Sequence, residues 1–326
     1  MLEKIRKKIK ELSALREIGK EITSSLSLEW VLNTIIDRAL ELLHARKGSI
    51  MLLNDETKEL AIAVARGLAE EPQDIAEPHY THSSLSAPLR IKDKLIGVII
   101  INDNKGEGYT SRHMDILKEL ADQAAIAIDN ARAHEDLQKV AINTVKALAV
   151  SIDQKDHYTH SHSENVTRYA VAIAREMKLE EEVIHKIELA AQVHDLGKIG
   201  IRDYILSKPG KLTPEEWEEI KTHTVRGAEI LKPLEFLDGI VEMVRQHHER
   251  SDGKGYPNGL KEKDTLIGAR IMGVADSFDA MTSDRPYRPA MSREVAIKEI
   301  KHYSGTLYDP RVVEAFLRAV EKGAIK

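Results

Sequence analysis

Apolar residues recur at spacings of three and four from the start of the chain: Leu2, Ile5, Ile9, Leu12, Leu15, Ile18, Ile22 and Leu26. That spacing draws one stripe along a helix with charged flanks. It suits packing on its own domain and a parallel coiled coil between two subunits equally well. Ser27 stands where an N-cap would open a second helix, Leu28 to Leu43, with Val31, Leu32, Ile35, Ile36 and Leu40 at helical spacing. The period then shortens. Residues 48–53 and 60–65 read as strands around a turn-rich 54–58, and 86–91 and 95–102 as a hairpin around Lys92-Asp93-Lys94. Residues 69–84 are polar and irregular, and His79 and His82 within them read as part of a solvated loop. From Ser111 the helical period returns, with Leu117, Leu120, Ala124, Ile128 and Ala131 on one face. Neither Gly nor Pro interrupts the chain from Ser111 to Asp156, which predicts a continuous helix, or two joined with little bend.

The second half is helical throughout and carries most of the imidazoles: nine of the fourteen histidines follow residue 150. His162 precedes a helix bearing Val166, Tyr169, Ala170 and Ile173, and His194-Asp195 ends a helix that starts near Glu181. His223 lies in a helix announced by Thr213 as N-cap, Pro214 in the first turn and Glu216 completing a capping box. His247 and His248 end a helix running from Asp238. Asp276 sits in the apolar helix Ile267 to Met281 beside Val274, Ala275 and Phe278, and a carboxylate buried there needs a partner. Asp309 and Pro310 open a last helix that packs as core. Several of these histidines fall at helix ends, where side chains can point into one shared cavity.

Composition narrows the chemistry. A length of 326 residues suggests two domains, and 42% hydrophobic with 31% charged residues is an ordinary globular balance. There is no cysteine, which excludes disulfides, thiolate metal sites and a cysteine nucleophile. Any metal must use imidazole, carboxylate or water. A net charge of -5 implies no broad basic surface for duplex nucleic acid. The longest apolar run, residues 95–101, is far too short to span a bilayer, and the first residues lack an apolar signal core, so a cytoplasmic protein is expected. Within these limits the pair His194-Asp195 stands out. Asp195 can bridge two cations through its two oxygens, His194 can hold one of them, and Lys198 offers a positive charge to an anionic substrate alongside.

Two resemblances sharpen the picture. Leu85-Ser86-Ala87-Pro88-Leu89, Lys94 to Ile99 and the helix Ile116 to Arg132 resemble the second half of a GAF sensory domain, and Gly48 to Leu53 fits its first half. The segment between Gly67 and Ser84 is shorter than GAF domains usually carry in one wall of their ligand pocket, so a small-molecule ligand is not expected there. The order His, His-Asp, later Asp resembles the HD phosphohydrolase superfamily. His194 to Ile201, Lys208-Pro209-Gly210-Lys211-Leu212, His247-His248-Glu249-Arg250 with Asp252 to Pro257, and Asp276 to Thr282 with Asp284 to Arg288 are similar to the HD-GYP subfamily. The second resemblance runs from about Ile152 to Phe316.

The resemblances imply a multi-domain chain. An N-terminal α+β GAF-like domain is joined by a long helix to a C-terminal all-α HD-GYP domain. The expected divisions are an amphipathic or coiled-coil helix over 1–26, the GAF-like domain over 27–132, a helical linker over 133–150 and the catalytic domain over 151–326. They further imply a phosphodiesterase that hydrolyses cyclic di-GMP to the linear dinucleotide, or on to GMP, under control of the N-terminal domain, and a homodimer formed through the N-terminal and linker helices. The implied metal ligands are His162, His194, Asp195, His223, His247, His248 and Asp276. Asp195 bridges; His162, His194 and Asp276 complete one site, and His223, His247 and His248 the other. His157 and His160 read as surface loop, and Tyr158 stands where some relatives carry a third-metal glutamate, so two ions are expected. Imidazole-rich donors suit iron, manganese, zinc or nickel better than magnesium, and the resemblance implies iron or manganese. Such a pair can hold a hydroxide and clamp the attacking and leaving oxygens of an in-line displacement, so no protein nucleophile is needed. Lys198 is implied as a phosphate contact and charge stabiliser, Tyr256 as a substrate-packing residue, and Arg285 and Arg288 as phosphate or guanine contacts. Two alternatives stay open: a non-catalytic cyclic di-GMP receptor, and an HD hydrolase of another cyclic dinucleotide.

Overall fold

The structure is a computed structural model, and it describes residues 16–54, 56–67, 84–102, 108–155, 162–284 and 289–325. His79, His82, His157, Tyr158, His160, Arg285 and Arg288 lie outside the described residues, as does most of the first apolar stripe. The chain divides into two compact units, residues 1–140 and 141–326. Among the described residues no helix is long and apolar enough to cross a membrane.

The first unit is α+β. Helix α1 is described over residues 16–22. Helix α2 (Leu28–Leu42) starts at Ser27, whose side chain accepts from the Trp30 amide. Strands β1 (Lys47–Leu53), β2 (Leu60–Arg66), β3 (Ser84–Ile91) and β4 (Lys94–Asn102) form one antiparallel sheet in the order β2-β1-β4-β3. Alternation along the strands turns Ile50 and Leu52 of β1, Leu85, Ala87 and Leu89 of β3, and Ile99 and Ile101 of β4 into the core. Val31, Ile35 and Ile36 of α2 and Leu117, Leu120, Ala124 and Ile128 of α3 (Ser111–Lys155) complete that core. Arg66 ties the edge strand β2 to α2 through Asp37 at 2.9 Å and Asn33 at 2.7 Å.

Helix α3 is unbroken over 45 residues, as the absence of Gly and Pro predicts. Its last turns belong to the second unit, where Ala149 and Ile152 enter the core.

The second unit is all helical: α4 (His162–Glu176), α5 (Glu181–Val193), α6 (Asp203–Leu206), α7 (Pro214–Lys221), α8 (His223–Leu231), α9 (Ile240–Gln246), α10 (Ile267–Thr282), α11 (Arg293–His302) and α12 (Pro310–Glu321). The core is centred on α4, α5 and α10, with Ile173, Ile187, Ala190, Ile271 and Val274 fully buried. Phe278 stands edge-on between Tyr169 (5.3 Å between centroids) and Phe316 (5.0 Å), joining α4, α10 and α12. The helix starts follow the sequence signals. Thr213 caps α7 in a full capping box, and Asp309 caps α12, with its side chain accepting from the Arg311 amide. One expectation needs correction. The helix that opens at Thr213 does not run through His223; it stops at Lys221, and His223 begins α8 after the single turn residue Thr222.

Candidate metal centre

Seven side chains from five places in the second unit meet at one end of the bundle. His162 is the first residue of α4, His194 and Asp195 follow α5, His223 opens α8, His247 and His248 follow α9, and Asp276 projects from α10. Ligand atoms of His223, His247 and His248 lie within 4.8 Å of one another, as do those of His162, His194 and Asp276, and those of His194, Asp195 and His247. His162, His194, His223 and His247 are almost fully buried. Asp276 is only half-buried and opens onto a cavity, rather than lying among Val274 and Ala275 as its sequence neighbours suggest. Asp279, one turn further along α10, is the fully buried carboxylate.

Helix termini position the rings by one repeated device. The Nδ1 of His194 donates to the Ala191 carbonyl at 2.8 Å, that of His223 to Ile220 at 2.7 Å, and that of His247 to Val244 at 2.6 Å. Each acceptor is a carbonyl three residues back, left over by the ending helix. A carbonyl only accepts, so each Nδ1 carries the proton and each Nε2 presents a bare lone pair. Those lone pairs converge. His223 Nε2 and His247 Nε2 face each other at 3.3 Å with no proton for either to share. His194 Nε2 is buried without a hydrogen-bond partner among the described residues. Burial pushes the His223, His247 and His248 pKa values down, that of His248 to about 3, so these rings are neutral near pH 7.

Asp195 lies between the two triads. Its Oδ1 is 3.4 Å from His223 Nε2, while its Oδ2 is 3.4 Å from His194 Nε2, 3.7 Å from His162 Nε2 and 2.8 Å from Lys198 Nζ. Burial is the strongest influence and opposes its ionisation, but the Lys198 ammonium and the His194, His223 and His162 rings together outweigh it and hold the carboxyl well below the usual range. Lys198 reaches it because residues Leu196–Gly200 form a tight 3₁₀ turn, packed directly on α8. A Cβ on Gly197 would collide with the His223 carbonyl oxygen and the Gly227 amide. This backbone-on-backbone contact at the start of α8 accompanies the break after Lys221 and sets His223 against Asp195.

The remaining members have their own supports. His162 Nδ1 bonds to Asp279 at 2.6 Å, and Asn165 donates to the other Asp279 oxygen at 2.9 Å. A carboxylate behind an imidazole fixes its tautomer and raises its basicity. Burial lowers the His162 pKa, and the Asp279 bond with the Asp276 and Asp195 charges more than reverses this. His162 Nε2 stands 3.5 Å from Asp276 Oδ1, and His248 Nδ1 stands 4.0 Å from Asp276 Oδ2. Tyr256 lies on the His248 ring with centroids 4.8 Å apart. Its loop folds back tightly: the Tyr256 amide donates to the His248 carbonyl, and a Cβ on Gly255 would collide with the backbone of residues 248–250. The buried Glu249 carboxylate closes the loop by accepting from the Asn258 amide at 2.7 Å and the Leu260 amide at 2.8 Å.

Sequence reasoning assigned no role to Asp279, Asn165 or Glu249. A signal for Asp279 exists in its spacing, one turn after Asp276 on an apolar helix. For Glu249 the signal is its place in the run His247 to Arg250, which does not reveal its partners, both backbone amides.

The donor set fits divalent cations: facing bare nitrogens, an orphaned buried imidazole nitrogen, two carboxylates and no thiolate. A cavity of about 540 Å³ opens beside the cluster, lined in part by His162, Asp195, His223, His248 and Asp276. Lys198 and Tyr256 also face it.

Comparison with known proteins agrees with this architecture. The GAF domain family model matches residues 66–130, and the HD domain family model matches residues 146–312. A cyclic di-GMP phosphodiesterase of Thermotoga maritima is 49% identical over 168 residues, covering 51% of this chain and 46% of the relative. The cyclic di-GMP phosphodiesterase response regulator RpfG of Xanthomonas campestris is 41% identical, covering 54% of this chain and 47% of its own length. A 3′3′-cGAMP-specific phosphodiesterase of Vibrio cholerae is 34% identical, covering 61% and 43% respectively. The chain thus spans about half the length of the curated relatives it matches. With the HD domain model covering 146–312, more than half of its residues, the chain belongs to the HD domain family.

Proposed function

We propose that the chain is a metal-dependent phosphodiesterase that opens cyclic di-GMP to the linear dinucleotide, or on to GMP. The observation that carries the reading is the pair of unprotonated His223 and His247 nitrogens held 3.3 Å apart, an arrangement that a cation between them stabilises. His162, His194 and Asp276 would hold one ion, His223, His247 and His248 the other, and Asp195 would share one oxygen with each. Iron or manganese suits these donors. When bound, such ions polarise a phosphoryl oxygen and lower the pKa of water. Lys198 orients the scissile phosphate and stabilises its developing charge. Burial and the Asp276 and Asp195 charges keep the Tyr256 phenol protonated, so it meets substrate as a hydrogen-bond donor. Arg285 and Arg288 keep the phosphate or guanine role that the resemblance implies.

The relatives named for cyclic di-GMP support the substrate, and the Vibrio cholerae relative supports a second reading, a hybrid cyclic dinucleotide. Anaerobic loading with iron or manganese, metal analysis, and product analysis over both nucleotides separate these. His194→Ala and Asp195→Ala are each expected to lose metal and to lower turnover by more than about a hundredfold. Near-normal turnover in either variant refutes the mechanism. Metal-loaded protein that binds the dinucleotide without cleaving it leaves the receptor reading in its place.

We also infer that residues 27–132 act as a sensory module on the catalytic residues 151–326 through the linker 133–150, in a dimer. The exposed Ile126, Leu137, Val140 and Leu148 fall on one face of α3 at about 3.6 residues per turn, which supports pairing of two copies along this helix.

A further inference from the structure

We propose that Trp217 is the stacking platform for a substrate nucleobase, in the cavity that the metal-ligand cluster also lines; this rests on the cyclic dinucleotide reading. The cavity lining is of two unlike kinds. One is the clustered imidazoles and carboxylates. The other comes from the segment from α6 to α7 and offers Ile205, Leu212, Trp217 and Ile220 together with Lys208 and Lys211. A cyclic dinucleotide has the same twofold character: phosphates that need cations, and flat purines that need apolar surface.

Trp217 is unusual in its setting. An indole normally contributes by burial, yet Trp217 is 46% exposed, and α7 buries none of its residues. The helix is instead held by its polar flank. Glu219 accepts from the Arg202 side chain, with Nε at 2.9 Å, Glu216 pairs with Lys208 at 2.5 Å, and the capping box fixes the first turn. With that flank pinned, Trp217 and Ile220, three residues apart, both turn to the cavity. Lys221, one position on, sets its ammonium 5.8 Å from the Tyr256 ring centre. Lys208 is neutralised by Glu216, whereas Lys211 has no carboxylate partner among the described residues and leaves positive charge in the same lining. An exposed indole and an unneutralised cation in the lining of one cavity match the flat base and the negative charge of a nucleotide.

Base–aromatic stacking changes affinity by roughly ten- to a hundredfold per base. In the manganese-loaded full chain, Trp217→Ala is expected to raise KM for cyclic di-GMP by about tenfold or more, with kcat changed far less. Trp217→Phe, which keeps an aromatic face, should recover most of the loss. The chain has two tryptophans, so Trp30→Phe leaves Trp217 as its one indole emitter. Its fluorescence should be quenched on titration with cyclic di-GMP. An unchanged KM in Trp217→Ala, a Phe variant no better than Ala, or an unquenched indole overturns the proposal. Quenching without hydrolysis retains the stacking and removes the phosphodiesterase reading instead.

Discussion

At the scale of single residues, imidazoles in this bundle are aimed by their neighbours. For His194, His223 and His247 the neighbour is a backbone carbonyl left over at a helix end. For His162 it is the Asp279 carboxylate, at 2.6 Å. Asp279 is therefore a positioning residue, itself held by Asn165 at 2.9 Å. Removing such a support costs metal sites roughly ten- to a hundredfold in affinity. Asp279→Ala is expected to weaken metal binding at the His162, His194 and Asp276 group by that factor, read by chelator competition, while the His223, His247 and His248 group is less affected. Equal loss at both groups would count against the assigned role.

Among elements, two contacts decide how helices meet. Gly197 lets the 3₁₀ turn after Asp195 lie directly on α8, where no Cβ fits. Gly197→Ala forces the two backbones apart, and overpacking of this kind costs about 1–3 kcal/mol. A lower melting temperature, with reduced metal occupancy, is expected; a variant that melts like the wild type would show that the contact yields freely. The second is the start of α12, where fully buried Asp309 accepts from Arg270 at 2.6 Å as well as capping the helix. Burial raises its pKa, but the Arg311 hydrogen bonds and the Arg270 charge prevail and leave it lowered from the ordinary 3.8. A carboxyl depressed on folding stabilises the protein above its unfolded pKa, and that stability is lost as pH falls through the lower folded value. Asp309→Asn keeps a capping oxygen and removes the charge. Urea unfolding should find this variant less stable at pH 7, with the gap closing as pH falls below about 4. A gap that is constant with pH would place the effect in packing rather than charge.

For the molecule as a whole, α3 is, among the described residues, the element that contributes core residues to both units, Leu117 and Ile128 to the first, Ala149 and Ile152 to the second. Leu137 and Val140 are 68% and 62% exposed between those stretches and are the apolar positions available for the proposed pairing. The proposed pairing along α3 predicts that the chain sediments as a dimer, that Leu137→Lys combined with Val140→Lys makes it a monomer, and that turnover changes with it. A persistent dimer removes the pairing seam; a monomer with unaltered turnover removes the coupling of α3 to output.

Periodicity in the chain already determined the elements. Strands β1 to β4, the unbroken α3, and the starts of α2, α7 and α12 follow from local alternation and capping, which act within a few residues. The candidate ligands were legible too, because imidazoles at helix ends and a His-Asp pair are rare enough to notice, and a family resemblance ordered them. What tertiary structure alone decided depends on atoms far apart in sequence. Only packing set Asp279 behind His162, 117 residues away. It also made Asp276 line a cavity while Asp279 was buried, and turned Trp217 toward the same cavity. A helix's sequence fixes which residues share a face; which face meets a neighbour, and what lies behind it, is settled by the burial of the whole core.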